Sequence, residues 1–138
     1  MTRIRQLSAT TMSLTLTACS SGYEGMWEAD RVEINGEDVT DEYVYTDVDG
    51  DCEYGYGFSL MITEGLRGFF GNSSHYDCGD GMDYAMGYGW WLDFERDGGG
   101  ITATFYDDYE FSCGLSVGRL NCTLDMGRES MDLRFRKD

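Results

Sequence analysis

Residues 110–125 read EFSCGLSVGRLNCTLD. A two-residue turn at Val117 and Gly118 sets Leu115 opposite Leu120, Cys113 opposite Cys122 and Phe111 opposite Leu124. Side chains alternate with a period of two along a strand, so all six share one face. Counted outward from the turn, the cysteines form a non-hydrogen-bonded pair, where Cα atoms approach to about 4.5 Å and a disulfide can close. The segment reads as a hairpin stapled by Cys113 and Cys122.

Neighbouring segments pass the same test. A turn near Gly127 and Arg128 sets Leu124 opposite Met131, Cys122 opposite Leu133 and Leu120 opposite Phe135. Upstream, a type I′ turn at Asp97 and Gly98 sets Phe94 opposite Ile101, Leu92 opposite Ala103 and Trp90 opposite Phe105. With residues 107–109 as a three-residue connection, the second half is an antiparallel meander of five strands over 87–96, 101–106, 110–116, 119–125 and 130–136.

In the first half, Asn35 and Gly36 give the strongest short hairpin signal and bring Val32 opposite Val39. Tyr54, Tyr56, Phe58, Leu60 and Ile62 alternate onto one face, and LRGFF follows a turn near Glu64 and Gly65. Residues 71–83, GNSSHYDCGDGMD, read as the one long loop.

The stretch TDVDGDCEYG, residues 46–55, admits two readings. A calcium loop of the EF-hand type wants carboxylates at positions 1, 3 and 5, glycine at 6 and glutamate at 12. Here glycine follows the second aspartate, and Gly57 or Phe58 falls where the glutamate belongs. A turn at Asp49 and Gly50 instead pairs Tyr45 with Tyr54, Tyr43 with Tyr56 and Asp47 with Cys52. The hairpin is the reading taken, and Asp47, Asp49 and Asp51 are left as clustered oxygens able to hold a cation loosely. Eight or nine short strands joined by hairpins make an all-β antiparallel meander, expected to close into an up-and-down barrel that removes exposed edges. An open sandwich is the competing closure.

The chain has 138 residues, 41% apolar, with no apolar run long enough to span a membrane. One domain is expected. Proline is absent, and 17 Phe and Tyr residues with three Trp supply a core. All 26 acidic residues follow Cys19, against eight basic ones, a net charge of −18 for that portion. Nucleic-acid binding is excluded, because it needs a cationic stripe.

The N-terminus, MTRIRQLSATTMSLTLTACSSG, has Arg3 and Arg5 before a mildly apolar stretch, as export signals do. Leu16, Thr17, Ala18 and Cys19 resemble the lipobox of bacterial lipoproteins; the competing reading is an ordinary secretory signal. The resemblance implies a signal over 1–18, cleavage before Cys19, lipidation of its thiol, a tether over 19–24 and a single domain over 25–138. With Ser20 next, the family's sorting pattern implies an outer-membrane anchor in the cell envelope. Setting Cys19 aside leaves four cysteines in an exported chain, hence two disulfides; the second joins Cys52 to Cys78.

Gly25, Met26 and Trp27 resemble the GxW motif of lipocalins and small lipocalin-like bacterial lipoproteins. That resemblance implies a barrel floor closed by Trp27 under a basic residue of the last strand, Arg134 or Arg136. Residues 75–84, HYDCGDGMDY, resemble the YxCxxG pattern of membrane-bound lysozyme inhibitors, small barrel lipoproteins that block a basic enzyme.

No catalytic constellation stands out. His75 is the only histidine, has no nucleophile elbow beside it, and no phosphate loop or dinucleotide fingerprint occurs. The expectation is a non-enzymatic protein without cofactor or structural metal. Two binding readings remain. Tyr43, Tyr45, Tyr54, Tyr56, Phe58 and Trp90 line a cavity for a small apolar ligand, or else fill the interior. Alternatively, the acidic surface binds a cationic protein.

Overall fold

The computed structural model describes residues 22–106 and 108–137. The signal segment and residues 19–21 of the tether, Cys19 included, lie outside them. Among the described residues the chain forms β1 (Gly25–Ile34), β2 (Glu37–Asp38), α1 (Thr40–Tyr43), β3 (Tyr45–Asp49), β4 (Cys52–Ile62), β5 (Arg67–Asp77), β6 (Met82–Asp93), β7 (Glu95–Asp97), β8 (Gly100–Phe105), β9 (Tyr109–Ser116), β10 (Arg119–Asp125) and β11 (Ser130–Lys137). The strands form one antiparallel sheet in the order β6-β5-β4-β1-β11-β10-β9-β8-β7, with β2 added to β1 and β3 to β4.

The β9–β10–β11 meander has the expected register. Cys113 faces Cys122, Leu120 faces both Leu115 and Phe135, and Leu124 faces both Phe111 and Met131. Both disulfides form, Cys113 to Cys122 and Cys52 to Cys78. The buried face of this meander meets the buried face of β4–β5–β6. Phe70 on β5 touches Phe111 on β9 and Phe135 on β11, at ring-centroid distances of 5.0 and 6.4 Å. The sheet is thus rolled around one core that also buries Leu60, Leu92, Ile101, Leu120 and Leu133.

The roll is not closed by hydrogen bonds. β6 and β7 are the two ends of the sheet, yet they are successive pieces of one segment separated by Phe94. The Phe94 N–H donates to the carbonyl of Leu66 at 2.9 Å, beside the start of β5, whereas Glu95 already pairs with Thr102 on β8. The chain therefore steps from one end of the sheet to the other within two residues. Alongside β6 the seam is spanned by side chains: Trp90 sits edge-on to Phe105 at 4.7 Å, and its Nε1 donates to the Tyr106 hydroxyl at 3.1 Å.

Several expectations are corrected. Residues 71–83 are not a long loop; β5 runs through Asp77 and β6 starts at Met82. The strand expected over 87–96 is split into β6 and β7. The turns read at Asp49–Gly50 and Asp97–Gly98 each lie one residue later, so Asp49 faces Cys52, Tyr45 faces Tyr56 and Asp47 faces Tyr54, while Arg96 rather than Phe94 faces Ile101. Tyr43 is not on a strand but ends α1.

Turn chemistry is the reason. Gly50 and Gly98 have φ of +64° and +61°, and the residue after each has no positive φ, the pattern of a type II′ turn with glycine first. Moving the turn by one residue shifts the partners by two, which leaves every side chain on its original face. Apolar alternation therefore cannot detect this slip.

Of the turns read correctly, which include the one near Gly127 and Arg128, two are of the other kind, with positive φ at both Asn35 and Gly36 and at both Val117 and Gly118. Asparagine tolerates that region, but a β-branched residue does not. Val117 is 99% exposed and packs on nothing that would compensate for its φ of +49°. Val117→Asn is expected to raise stability by about 1 kcal/mol, read as a melting temperature several degrees higher. An unchanged or lower melting temperature would contradict the strained turn.

Candidate ligand-binding groove

The site begins at a fork. β4 pairs with β1 from Ser59 to Ile62 and with β3 from Cys52 to Tyr56, leaving Gly57 and Phe58 without a strand partner on that side. α1 lies at the fork, with Val44 against Gly57 and the Tyr43 ring stacked on Phe58 at 5.7 Å.

So short a helix needs outside anchorage, and polar contacts supply it. The Thr40 N–H donates to the Asp38 carboxylate at 3.0 Å; the Thr40 hydroxyl accepts from the Val32 N–H at 3.0 Å and donates to Asp38. These bonds from the Thr40 hydroxyl and amide hold the Asp38 carboxyl below its ordinary value of 3.8. A depressed folded pKa means that the contribution to α1 is complete above the ordinary value and is lost as pH falls through the lower one. The Thr40 amide resonance should accordingly titrate with a midpoint below 3.8, and Asp38→Asn should abolish that titration. A midpoint at or above the ordinary value would remove Asp38 as the anchor.

Beside α1 lies an open groove of about 480 Å³. Tyr43, Tyr45, Tyr56 and Phe58 supply its rings, Asn72 and Ser74 its polar groups, Gly57, Ser73 and Gly87 its small positions, and Glu42 is the one charged residue lining it. Tyr45 and Tyr56 face each other across β3 and β4 with ring centroids 5.0 Å apart. The three tyrosines remain 36%, 43% and 40% exposed. A smaller cavity of about 210 Å³ shares Tyr45, Tyr56 and Phe58 and is bounded by His75, Glu28 and Arg136. There the imidazole of His75 lies directly over Gly55, where a Cβ would approach it to 1.8 Å. Glu28 is already neutralised by Arg136 at 3.6 Å.

Four of the six aromatic residues singled out in the sequence thus come together at one groove, and two do not. Tyr54 packs against Tyr76 at 4.9 Å beyond the groove, where desolvation first and Tyr76 second push its phenol above the ordinary value of 10.0. Trp90 is held between Phe70, at 6.2 Å, and Phe105. Asp47 and Asp49 lie on β3 and Asp51 in the following turn; among the described residues no three acidic, Cys or His side chains converge as a metal site would require.

The basic residue over Trp27 is also corrected. Arg134 binds Asp30 at 2.8 Å and Arg136 binds Glu28, whereas Lys137 directs its ammonium over the Trp27 ring at 5.3 Å. The register is the cause: Lys137 is the direct cross-strand partner of Trp27 and Arg136 that of Glu28, while Asp30, at the β1 bulge between Ala29 and Arg31, pairs with both Arg134 and Arg119. The Trp27 indole N–H donates to the carbonyl of Tyr23 at 2.8 Å.

Asn72, Ser74 and Glu42 were absent from the sequence reading of this site. The first two were hidden in the supposed loop, and a signal for them existed. Glu53 faces Asp77, so Cys52 and Cys78 continue that ladder, and running the register back from the disulfide puts Ser74 opposite Tyr56 and Asn72 opposite Phe58. No protein-family model matches this chain, and no curated protein matches it.

Proposed function

We propose that this chain is an exported lipoprotein, lipidated at Cys19 and anchored in the outer membrane of the cell envelope, whose rolled sheet is a lipocalin-like barrel that binds a small, largely apolar ligand. The observation that carries the binding reading is the groove of about 480 Å³ with Tyr43, Tyr45 and Tyr56 partly exposed around it and Phe58 behind them. Small-molecule sites span roughly 300–1,000 Å³ and combine apolar walls with a few orienting polar groups. The roll's interior is occupied by Phe70, Phe111, Phe135, Leu60 and Leu133, so the ligand is assigned to the groove and not to the barrel axis. Export is supported by the two disulfides, which persist in oxidising compartments.

The neutral fluorophore N-phenyl-1-naphthylamine tests the groove. Saturable fluorescence enhancement is expected, weakened at least tenfold by Tyr56→Ala. Absence of saturable binding, or equal binding by the variant, refutes the reading. Labelling cells with a fatty-acid analogue tests the anchor, and equal label on the Cys19→Ala variant sinks it.

A second reading, an acidic surface that binds a cationic protein as lysozyme inhibitors do, is favoured by the formal net charge of −16. Inhibition of lysozyme that disappears in high salt would support it, and none at low salt would dismiss it.

A further inference from the structure

We infer that the groove's ligand is a small quaternary ammonium compound of choline size. This rests on the groove being the ligand site and adds the ligand's chemical class.

The argument starts from Glu42. It lines the groove, and no ion pair among the described residues engages it; the arginines that form ion pairs are committed to Glu28, Asp30, Glu33, Asp38 and Asp93. The groove lining contains no Lys, Arg or His. An anionic ligand would meet this carboxylate with nothing to offset it, in a chain whose formal net charge is −16. A neutral ligand would leave the carboxylate unused.

Ring faces narrow the choice of cation. The negative faces of Tyr43, Tyr45 and Tyr56 attract positive charge, and the aromatic walls also shed water from apolar surface. A primary ammonium is strongly hydrated and wants three hydrogen-bond acceptors, whereas a methylated one spreads its charge over methyl groups that pack on rings. Rings beside one carboxylate, with the Asn72 amide and the Ser74 hydroxyl on the facing strand for a polar tail, fit the methylated cation.

The experiment follows backbone amides of Tyr45, Tyr56, Phe58 and Ser74 by NMR during separate titrations with choline, with its neutral carbon isostere 3,3-dimethylbutan-1-ol, and with phosphocholine. Choline is expected to bind at least tenfold more tightly than the isostere. Glu42→Gln is expected to erase most of that preference, and an unchanged amide spectrum over β9–β11 shows that the fold is intact. Equal affinity for choline and the isostere, or no choline binding, overturns the inference while saturable naphthylamine binding at Tyr56 leaves the groove reading standing. Loss of that binding as well removes both. Phosphocholine binding as tightly as choline would make a phospholipid headgroup the ligand and overturn the free-cation assignment.

Discussion

Phe70→Ala is expected to lower the stability of this protein by about 3–5 kcal/mol, a large part of the roughly 5–15 kcal/mol that holds a typical domain together. Phe70 is 2% exposed, and its ring touches Phe58 on β4, Trp90 on β6, Phe111 on β9 and Phe135 on β11. Removing it therefore opens a cavity between the two halves of the rolled sheet, and neither half can collapse into the space without breaking its own ladders. Urea unfolding followed by tryptophan fluorescence gives the measurement. The adjacent Phe69 points to the opposite face and has Trp91 as its ring partner, at 5.1 Å. Phe69→Ala serves as the control and should cost only about 1 kcal/mol. If the two losses are alike, Phe70 is not the bridge between the halves.

The contrast between those neighbours also marks what alternation reveals. Period-two patterning placed Phe111, Leu120, Leu124, Leu133 and Phe135 on the buried face, because each belongs to a strand constrained by apolar partners on both sides. The turn at Asn35–Gly36 was legible for a different reason: asparagine and glycine are the residues that accept two successive positive φ angles. At Asp49–Gly50–Asp51 and Asp97–Gly98–Gly99 two turns compete, and both choices preserve the faces, so the side-chain pattern carries no information between them. The step at Phe94 was illegible for a third reason. Whether a strand leaves β5 to join β8 depends on how far the whole sheet has rolled, which is a property of long-range packing. At the groove, the rings of β4 were legible, while Asn72 and Ser74 required the disulfide to be used as a register constraint as well as a staple. Glu42 had no local signal, because α1 is too short to show helical periodicity.

Removing the Cys52–Cys78 disulfide should have an effect of similar size but a different distribution. The chain-entropy relation assigns the loop it closes, with a sequence separation of 26, about 3–4 kcal/mol. No fully buried apolar residue of the core comes from 45–58 or from 72–89, and within those ranges only Phe58 packs against the core, so most of that end of the β4–β5–β6 ladders lies outside the packed interior. Backbone pairing, the contacts Tyr45–Tyr56 and Tyr54–Tyr76, and the disulfide hold it. Elements with few buried apolar contacts open without unfolding the rest. The double variant Cys52→Ser with Cys78→Ser is therefore expected to speed amide exchange at least tenfold over residues 45–58 and 72–89, with much smaller change over β9–β11, and to weaken naphthylamine binding in parallel. The other disulfide lies within the core, where Cys113 and Cys122 are buried beside Ile101 and Leu133. Replacing that pair by alanine should instead raise exchange across the whole sheet, because the ladder it staples belongs to the cooperative core. Uniform exchange in both variants would show that the groove end and the core unfold as one unit, and the groove would then owe its shape to the core rather than to Cys52 and Cys78.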